Sequence, residues 1–501
     1  MSRRPVRLSA DALWLGAILA LAAVLRVIGL NAGLWYDEID TLVHYVRRPV
    51  AELVTNYPSL NHHVLFSLQA RLSVLLFGES AWALRLPAFL FGVASIWALW
   101  LLARQVSSAW VARLAALLLA VSYHHIWFSQ NARGYTGILF WCILATYFFI
   151  RGWREGGRRF WALYAPAMAL ALYTHLSAIL FFAAQGVVYL GLAAHRLLSA
   201  NPAERRVTRS LAQPALALAA GGLGAALLHA PLVPSMIATF SEVAAPQPEA
   251  IREATAHWKS PLWMAAEIGR SLSGQNPLLA LAGPIALFIV VAGMIRAWRR
   301  EPILPALLLV HIPLTIGLIL ALSFRLWPRY FFVDIGFICF FLVEGAFAVA
   351  EALARLLRRE RVAGLSPGGL GIAFALVGVA ASCLLLPRNY AFPKQDFAGA
   401  RDFIESNRGL DSTVLTLGLA SMPYADYYAP HWREVDSVEG VKAGERSSRE
   451  VWLVYSFPPV TEQSHRAVTD YVNRNYRSWR FPGTLHGGDV LVFRSRRERI
   501  R

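Results

Sequence analysis

Asp37 and Glu38 stand side by side in Gly33-Leu34-Trp35-Tyr36-Asp37-Glu38-Ile39-Asp40, just after a hydrophobic segment preceded by Arg3, Arg4 and Arg7. Arginine and lysine beside a membrane span stay cytoplasmic. The segment therefore runs outward and brings both carboxylates to the outer membrane surface, where an acid is costly unless it has a task. One task is to cap the helix expected after Ile39, since acids favour a helix N-terminus; the other is catalysis or binding. The same topology gathers Trp35, Tyr36, Asn61, His62, His63, His124, His125, Ser129, Gln130, Asn131, Arg133, Tyr135, Tyr173, Thr174, His175, Arg325, Arg329 and Tyr330 on that surface.

Arg133 and Arg329 discriminate between readings, because positive charge outside opposes the orienting rule. A guanidinium matches phosphate oxygens with paired donors; lipid headgroups or the acids Asp37 and Glu38 are the alternative partners. The aromatic residues alone would describe an interface belt. Four histidines in one layer (His62, His63, His125, His175) favour a role for at least one of them. They lack the tight spacing of a metal site, so no cofactor is required and a divalent metal is without support.

Transfer of a sugar from a lipid phosphate would use all of these groups. The acceptor must lose a proton to a carboxylate base. The anomeric carbon becomes oxocarbenium-like beside an anion. The leaving phosphate gathers charge that arginine or histidine offsets. A donor anchored by its lipid tail places such a site at the membrane surface.

The elements that must hold these residues are apolar helices. The 501 residues are 56% hydrophobic, with mean hydropathy +0.45, and apolar stretches of bilayer-spanning length recur. The first reads as a retained span, not a cleaved signal peptide. The net charge of +17 resides at span ends, not along one soluble face, which excludes a nucleic-acid partner. Cys142, Cys339 and Cys383 lie in apolar stretches as small hydrophobes. Eleven spans are expected at 11–31, 82–103, 109–125, 134–150, 160–174, 177–196, 211–236, 277–295, 302–323, 330–352 and 368–386, with the N-terminus cytoplasmic. Within the first outer loop, 32–80, the segments 41–56 and 61–78 read as amphipathic helices in the outer interface.

The spans and this loop make a first domain, 1–387. Residues 388–501 are more polar and read as a small extracytoplasmic α/β domain. Strands are expected at 414–419, 451–457 and 490–493, and helices at 396–407 and 461–476.

Leu34-Trp35-Tyr36-Asp37-Glu38, Ala83-Leu84-Arg85-Leu86-Pro87 and the run from His125 to Tyr135, followed by Pro328-Arg329-Tyr330 and Pro393-Lys394-Gln395-Asp396, resemble the C-type glycosyltransferase superfamily. The resemblance is to its bacterial polyprenyl-phosphate-sugar-dependent branch, similar to protein O-mannosyltransferases and the lipid A aminoarabinose transferase. It covers most of the first 180 residues. It implies an α-helical polytopic fold of about eleven spans with interfacial helices, in the bacterial inner membrane. It implies inverting transfer of a hexosyl or pentosyl group from a polyprenyl-phosphate sugar to a lipid, glycan or protein acceptor, among membrane lipids. Asp37 falls on the family's catalytic acid, and Glu38 beside it is also expected to be catalytic, supporting the acceptor or the cationic transition state. Trp35, Tyr36, Asn61, His62, His63, Gln130, Arg133, Tyr135, His175, Arg329 and Tyr330 are expected to bind donor or acceptor. Asn131 stands where family members often carry an acid, and His63 where a proline commonly follows the first histidine. A polysaccharide ligase or polymerase is a related alternative. A lipid or solute transporter, the alternative from another class, predicts ionisable residues at mid-membrane depth.

Overall fold

The structure is a computed structural model that describes residues 10–198, 208–244, 260–273, 282–322 and 324–495. Eight of its helices are long and apolar enough to cross a membrane, judged by length and composition: Ala10–Val27, Ala81–Val106, Tyr135–Glu155, Ala178–Leu198, Leu211–Val243, Ile303–Ala321, Pro328–Leu356 and Pro367–Ala391. A ninth expected span is broken into Ala109–Ala120 and Tyr123–Ser129, which meet at 60°. The other two, Arg158–Thr174 and Ala282–Trp298, are helices of 17 residues, about 25 Å long and somewhat short for a bilayer. Over the described residues each of the eleven expected spans is therefore helical, with 277–281 and 323 lying outside them, and the chain is a multi-pass membrane protein.

Small residues bring these helices together, as is usual where lipid removes the hydrophobic drive for association. Where Ala282–Trp298 crosses Ile335–Leu356, Gly293 and Gly345 admit backbone against backbone: a Cβ on Gly345 would collide with the Ile289 carbonyl, and one on Gly293 with that of Phe341. The basic span ends meet at one end of the bundle. There Asp11 pairs with Arg104 and Arg113, Glu301 with Arg154, and the buried Glu344 with Arg296 and Ser107.

The opposite end carries the Asp37 segment. Its helix is Tyr36–Thr41, which continues into a wide π turn, Leu42–Val46. Asp37 and Glu38 thus lie in the first turn, where the helix dipole favours acids, rather than ahead of a helix starting near residue 41. Helix Val50–Thr55 follows. The second expected interfacial helix is Val64–Phe77, ended by Gly78 at φ +81°.

The C-terminal part contains a five-stranded sheet in the order β2-β1-β3-β5-β4, with β1 Ser412–Leu417, β2 Arg433–Val435, β3 Glu450–Ser456, β4 Tyr476–Phe481 and β5 Val490–Ser495. β1 pairs parallel with β2 and β3; β5 runs antiparallel to β3 and β4. The three expected strands are β1, β3 and β5. β2 was missed because three residues carry no periodicity. β4 was missed because the expected helix 461–476 ran into it; that helix is broken at His465 and stops at Asn475.

The sheet does not keep its apolar face to itself. Trp452, Val454, Val490 and Val492 share one core with Phe397, Ala400 and Ile404 of helix Phe397–Asn407, and with Leu34, Ile39, Leu42 and Phe66 of the first outer segment. Burying these side chains contributes roughly 1.5–3 kcal/mol each, so this shared core welds the Asp37 segment to the last hundred residues.

Gly345→Ala should force the Ile335–Leu356 helix away from Ala282–Trp298 at a cost of about 1–3 kcal/mol, read as a lower Tm of the detergent-purified protein. Gly186→Ala is the control, since a Cβ there meets open space.

Candidate functional site

The site is built on a carboxylate that faces inward. Glu38 is fully buried. Arg85, itself buried within helix Ala81–Val106, donates Nε to Glu38 Oε1 at 2.7 Å and Nη2 to Oε2 at 2.6 Å. Ala132 N–H donates to Oε1 at 2.7 Å and Trp35 N–H to Oε2 at 3.4 Å, the return half of a capping box. Arg85 also donates to the Leu30, Ala32 and Gly33 carbonyls. Burial alone would raise the Glu38 carboxyl, but Arg85, Lys394 and the Ala132 amide outweigh it and hold the group below the usual carboxylate range. One ion pair thereby joins the first outer segment, a span, and the turn before Arg133. Arg85 appeared in the sequence only as part of a motif; a charge inside an apolar stretch was the available signal.

Asp37 points the other way and is partly exposed. Its Oδ2 accepts from Arg133 Nη1 at 2.5 Å and lies 3.7 Å from Arg329 Nη1. Arg133 is buried; its Nη1 also donates to Asn61 Oδ1, and its Nη2 lies 3.0 Å from His63 Nε2. Asn61 in turn donates Nδ2 to Asp40 Oδ2 at 2.6 Å, and Asp40 Oδ1 lies 2.8 Å from His44 Nδ1. Asp40, one helical turn beyond Asp37, was not singled out in the sequence although it lies in the same acidic run. It fixes the Asn61 amide so that its oxygen faces Arg133. The hydrogen bond to Asp40 raises the His44 pKa. Arg329 begins the 3-10 turn Pro328–Asp334, lies over the Trp327 ring and is about a third exposed, its side chain at 38%.

The histidines divide. His63 and His175 meet edge to face at 4.2 Å, beside Tyr135 and Arg133. Gly134 N–H and Arg133 Nη2 both converge on His63, whose neutral ring has one acceptor nitrogen. Burial, then His175 and Arg133, hold His63 well below the ordinary imidazole value. His175 is pushed down to about 3 by burial and the two arginines. His62 instead stacks on Tyr45 at 4.2 Å, away from Asp37's immediate partners, and burial lowers it to about 4. His125 turns into the helices: it contacts Arg26 and Ser95. Arg26 donates to the Leu119 and Ala120 carbonyls and so caps the broken span at its bend.

The remaining expected residues brace this arrangement. Trp35 Nε1 donates to Asn131 Oδ1 at 3.1 Å. Tyr135 OH accepts from Arg133 Nη2 at 3.5 Å. Gln130 donates to the Arg26 and Ile28 carbonyls and accepts from Asn389. Tyr330 packs with Met264, Ile319 and Leu326. Tyr36 is held from the C-terminal side: its N–H donates to Gln395 Oε1 at 3.2 Å and its ring meets Phe457 at 5.8 Å. Nearby, Lys394 lies over Trp127, whose Nε1 donates to Thr484. Burial lowers Lys394 to about 7. Only Pro393-Lys394-Gln395-Asp396 foreshadowed these contributions.

The donor set does not fit a divalent cation. Asp37 is flanked by two arginines, Asn131 is engaged by Trp35, and among the described residues no three His, Cys, Asp or Glu side chains gather as ligands.

A helix bundle of this order, with its acid-bearing segment seated under a small C-terminal sheet, is the fold of the C-type glycosyltransferases. The solved structure of the oligosaccharyltransferase AglB from Archaeoglobus fulgidus, in complex with an inhibitory peptide and a dolichol-phosphate, matches 95% of this chain and 74% of its own at a TM-score of 0.51 and 13% identity. ArnT from Cupriavidus metallidurans in the apo state aligns over 97% of this chain and 98% of its own at 0.45 and 16% identity; its structure bound to undecaprenyl phosphate aligns over 96% and 97% at 0.44 and 14%. In sequence, residues 61–219 match the family model of dolichyl-phosphate-mannose-protein mannosyltransferases. That stretch holds Arg85, Arg133, Tyr135 and all four histidines of the outer layer, while Asp37 and Arg329 lie outside it. The likeness to AglB is one of fold, and the family model covers 159 of the 501 residues; both agree with the resemblance expected from the sequence. No curated protein matches the sequence.

Two outcomes test this geometry. Arg85→Met, which leaves Glu38 buried and unpaired, should cost about 3–5 kcal/mol, and adding Glu38→Leu should recover part of the lost Tm. The second concerns pH. His62 titrates near 4 in the fold against about 6.5 unfolded. On acidification the unfolded chain takes up this proton first, so stability falls between these values, by about 2 kcal/mol at pH 5. His62→Phe keeps the stacking and should flatten the Tm difference between pH 7 and pH 5.

Proposed function

We propose that the chain is a glycosyltransferase that moves a hexosyl or pentosyl group from a polyprenyl-phosphate donor to a lipid, glycan or protein acceptor, with inversion at the anomeric carbon. The observation that carries this reading is the partly exposed Asp37 carboxylate set between Arg133 and Arg329. A base for the acceptor and cations for a phosphate are thereby within one side chain's reach of each other.

In this reading Asp37 accepts the proton of the acceptor hydroxyl or amine as its oxygen or nitrogen bonds to the anomeric carbon. The bond from that carbon to the phosphate oxygen breaks, and polyprenyl phosphate leaves. Arg329, the more exposed arginine, meets the phosphate; Arg133 holds Asp37 and adds its charge. His63 and His175, kept neutral by burial, can donate to or accept from the donor without adding charge. Glu38 acts through its partners, as the post that fixes Asp37's helix, because Arg85, Ala132 and Trp35 already occupy its oxygens. The basic bundle end belongs on the cytoplasmic side. In this reading Asp37 and residues 388–501 lie outside the inner membrane of a bacterium, where a lipid-anchored donor presents its headgroup.

Mass spectrometry of surface glycolipids and glycoproteins from cells lacking the protein should show one sugar modification missing. Wild-type protein should restore it. Asp37→Asn should insert and fold yet lower transfer by at least about 10²-fold; near-normal product would remove Asp37 from the mechanism. Arg329→Ala should weaken binding of undecaprenyl phosphate about tenfold; unchanged affinity would assign the phosphate to other residues.

A further inference from the structure

Phe457 occupies a position whose local demands all disfavour it. It ends β3 at φ +51°, ψ +59°, the left-handed region that a bulky side chain rarely enters. It is the N-cap of helix Pro458–Ser464, its carbonyl accepting from Val460 and Thr461, a place suited to Ser, Thr, Asp, Asn or Gly. It also precedes a proline, which steers the preceding residue toward extended backbone. Glycine or asparagine would satisfy the left-handed conformation and the cap together. Such a conflict persists where the surroundings impose it and marks a functional constraint. Among the described residues the other non-glycine positive-φ positions are Arg358, four residues before the small bridge Val362 to Leu365, and Ala363, within the turn it closes; both are remote in sequence from the Asp37 segment.

Among the ring contacts of the described residues, the phenyl ring has one. Its edge meets the ring of Tyr36, the residue beside Asp37, at 5.8 Å with the planes 86° apart. The same Tyr36 is gripped a second time: its N–H, one of the orphan donors of a helix's first turn, goes to Gln395 Oε1, while Gln395 Nε2 donates to the Gly488 carbonyl between β4 and β5. Tyr428 OH adds a hydrogen bond to the Leu34 carbonyl at 2.9 Å. The first turn of the Tyr36–Thr41 helix is therefore positioned from the side of the sheet.

We infer that Phe457 is a positioning residue: the C-terminal sheet uses its strained ring, together with Gln395, to set the angle at which Asp37 meets the acceptor. The inference rests on Asp37 being the acceptor base. Phe457 acts on the pose of Asp37 and not on the donor phosphate, which Arg329 reaches from another span.

The test uses the full-length protein in detergent and in complemented cells, with undecaprenyl phosphate as the binding probe. Phe457→Gly and Phe457→Asn relieve the backbone conflict and remove the ring; Phe457→Tyr keeps the ring. For the first two we expect amide exchange across residues 34–41 to rise about tenfold with little change in Tm, undecaprenyl phosphate affinity to stay within about twofold, and sugar transfer in cells to fall roughly 10- to 100-fold. Phe457→Tyr should keep both exchange and transfer near wild-type levels. Unchanged exchange over 34–41 in Phe457→Gly overturns the inference, as does a loss of transfer matched by lost Tm and lost phosphate binding, which would make Phe457 merely structural. If wild-type protein transfers no sugar while the exchange difference is present, the proposed function fails and the mechanical coupling stands.

Discussion

The ion pair of Glu38 with Arg85 is the constraint on which the site depends. Both groups are removed from water, at a desolvation cost that only close, complete pairing offsets. The pairing is complete here because the guanidinium's other donors are absorbed by the Leu30, Ala32 and Gly33 carbonyls, and the carboxylate's other lone pairs by Ala132 and Trp35. These contacts leave the chain after the first span with a single path. That path turns Asp37, the neighbour of Glu38, outward toward Arg133 and Arg329. Two adjacent acids thus take opposite surroundings: one is spent on architecture, and the other stands between cations with access to solvent.

Much of the fold was legible because lipid leaves few options. Backbone groups in a bilayer must be satisfied within helices, and the eleven apolar stretches are helical over their described residues. The strands β1, β3 and β5 were legible for a related reason, as short runs buried on both faces. β4 buries only Tyr476 and follows a helix without a breaker, so its signal merged with the helical one. The 60° break before Tyr123 was not legible either: it is secured by Arg26, from a span nearly a hundred residues earlier.

The site was legible by residue type more than by partner. Asp37, Arg133, Asn61, His63, His175 and Arg329 come together as the topology required. Gln130 and His125 carry the same chemistry, but their hydrogen bonds run to backbone carbonyls and buried side chains that secure the first span and the bend. Pattern could not separate the two groups, since orientation on a short helix is decided by contacts made elsewhere. Asp40 and Phe457 were overlooked for opposite reasons. Asp40 looked like one more acid in an acidic run, and Phe457 like an ordinary strand-end hydrophobe until its backbone conformation was known.

The apolar core that Leu34, Ile39 and Phe66 share with Trp452 and Val492 has a consequence for biogenesis. These partners lie between 386 and 458 residues apart in the sequence. The ribosome will have threaded every span into the bilayer before β5 exists. Until then the first extramembrane segment has no cover for its greasy side, and Tyr36 has neither Gln395 nor Phe457 to lean on. The spans of the newborn protein are thus inserted before this shared core can close around Leu34 and Ile39.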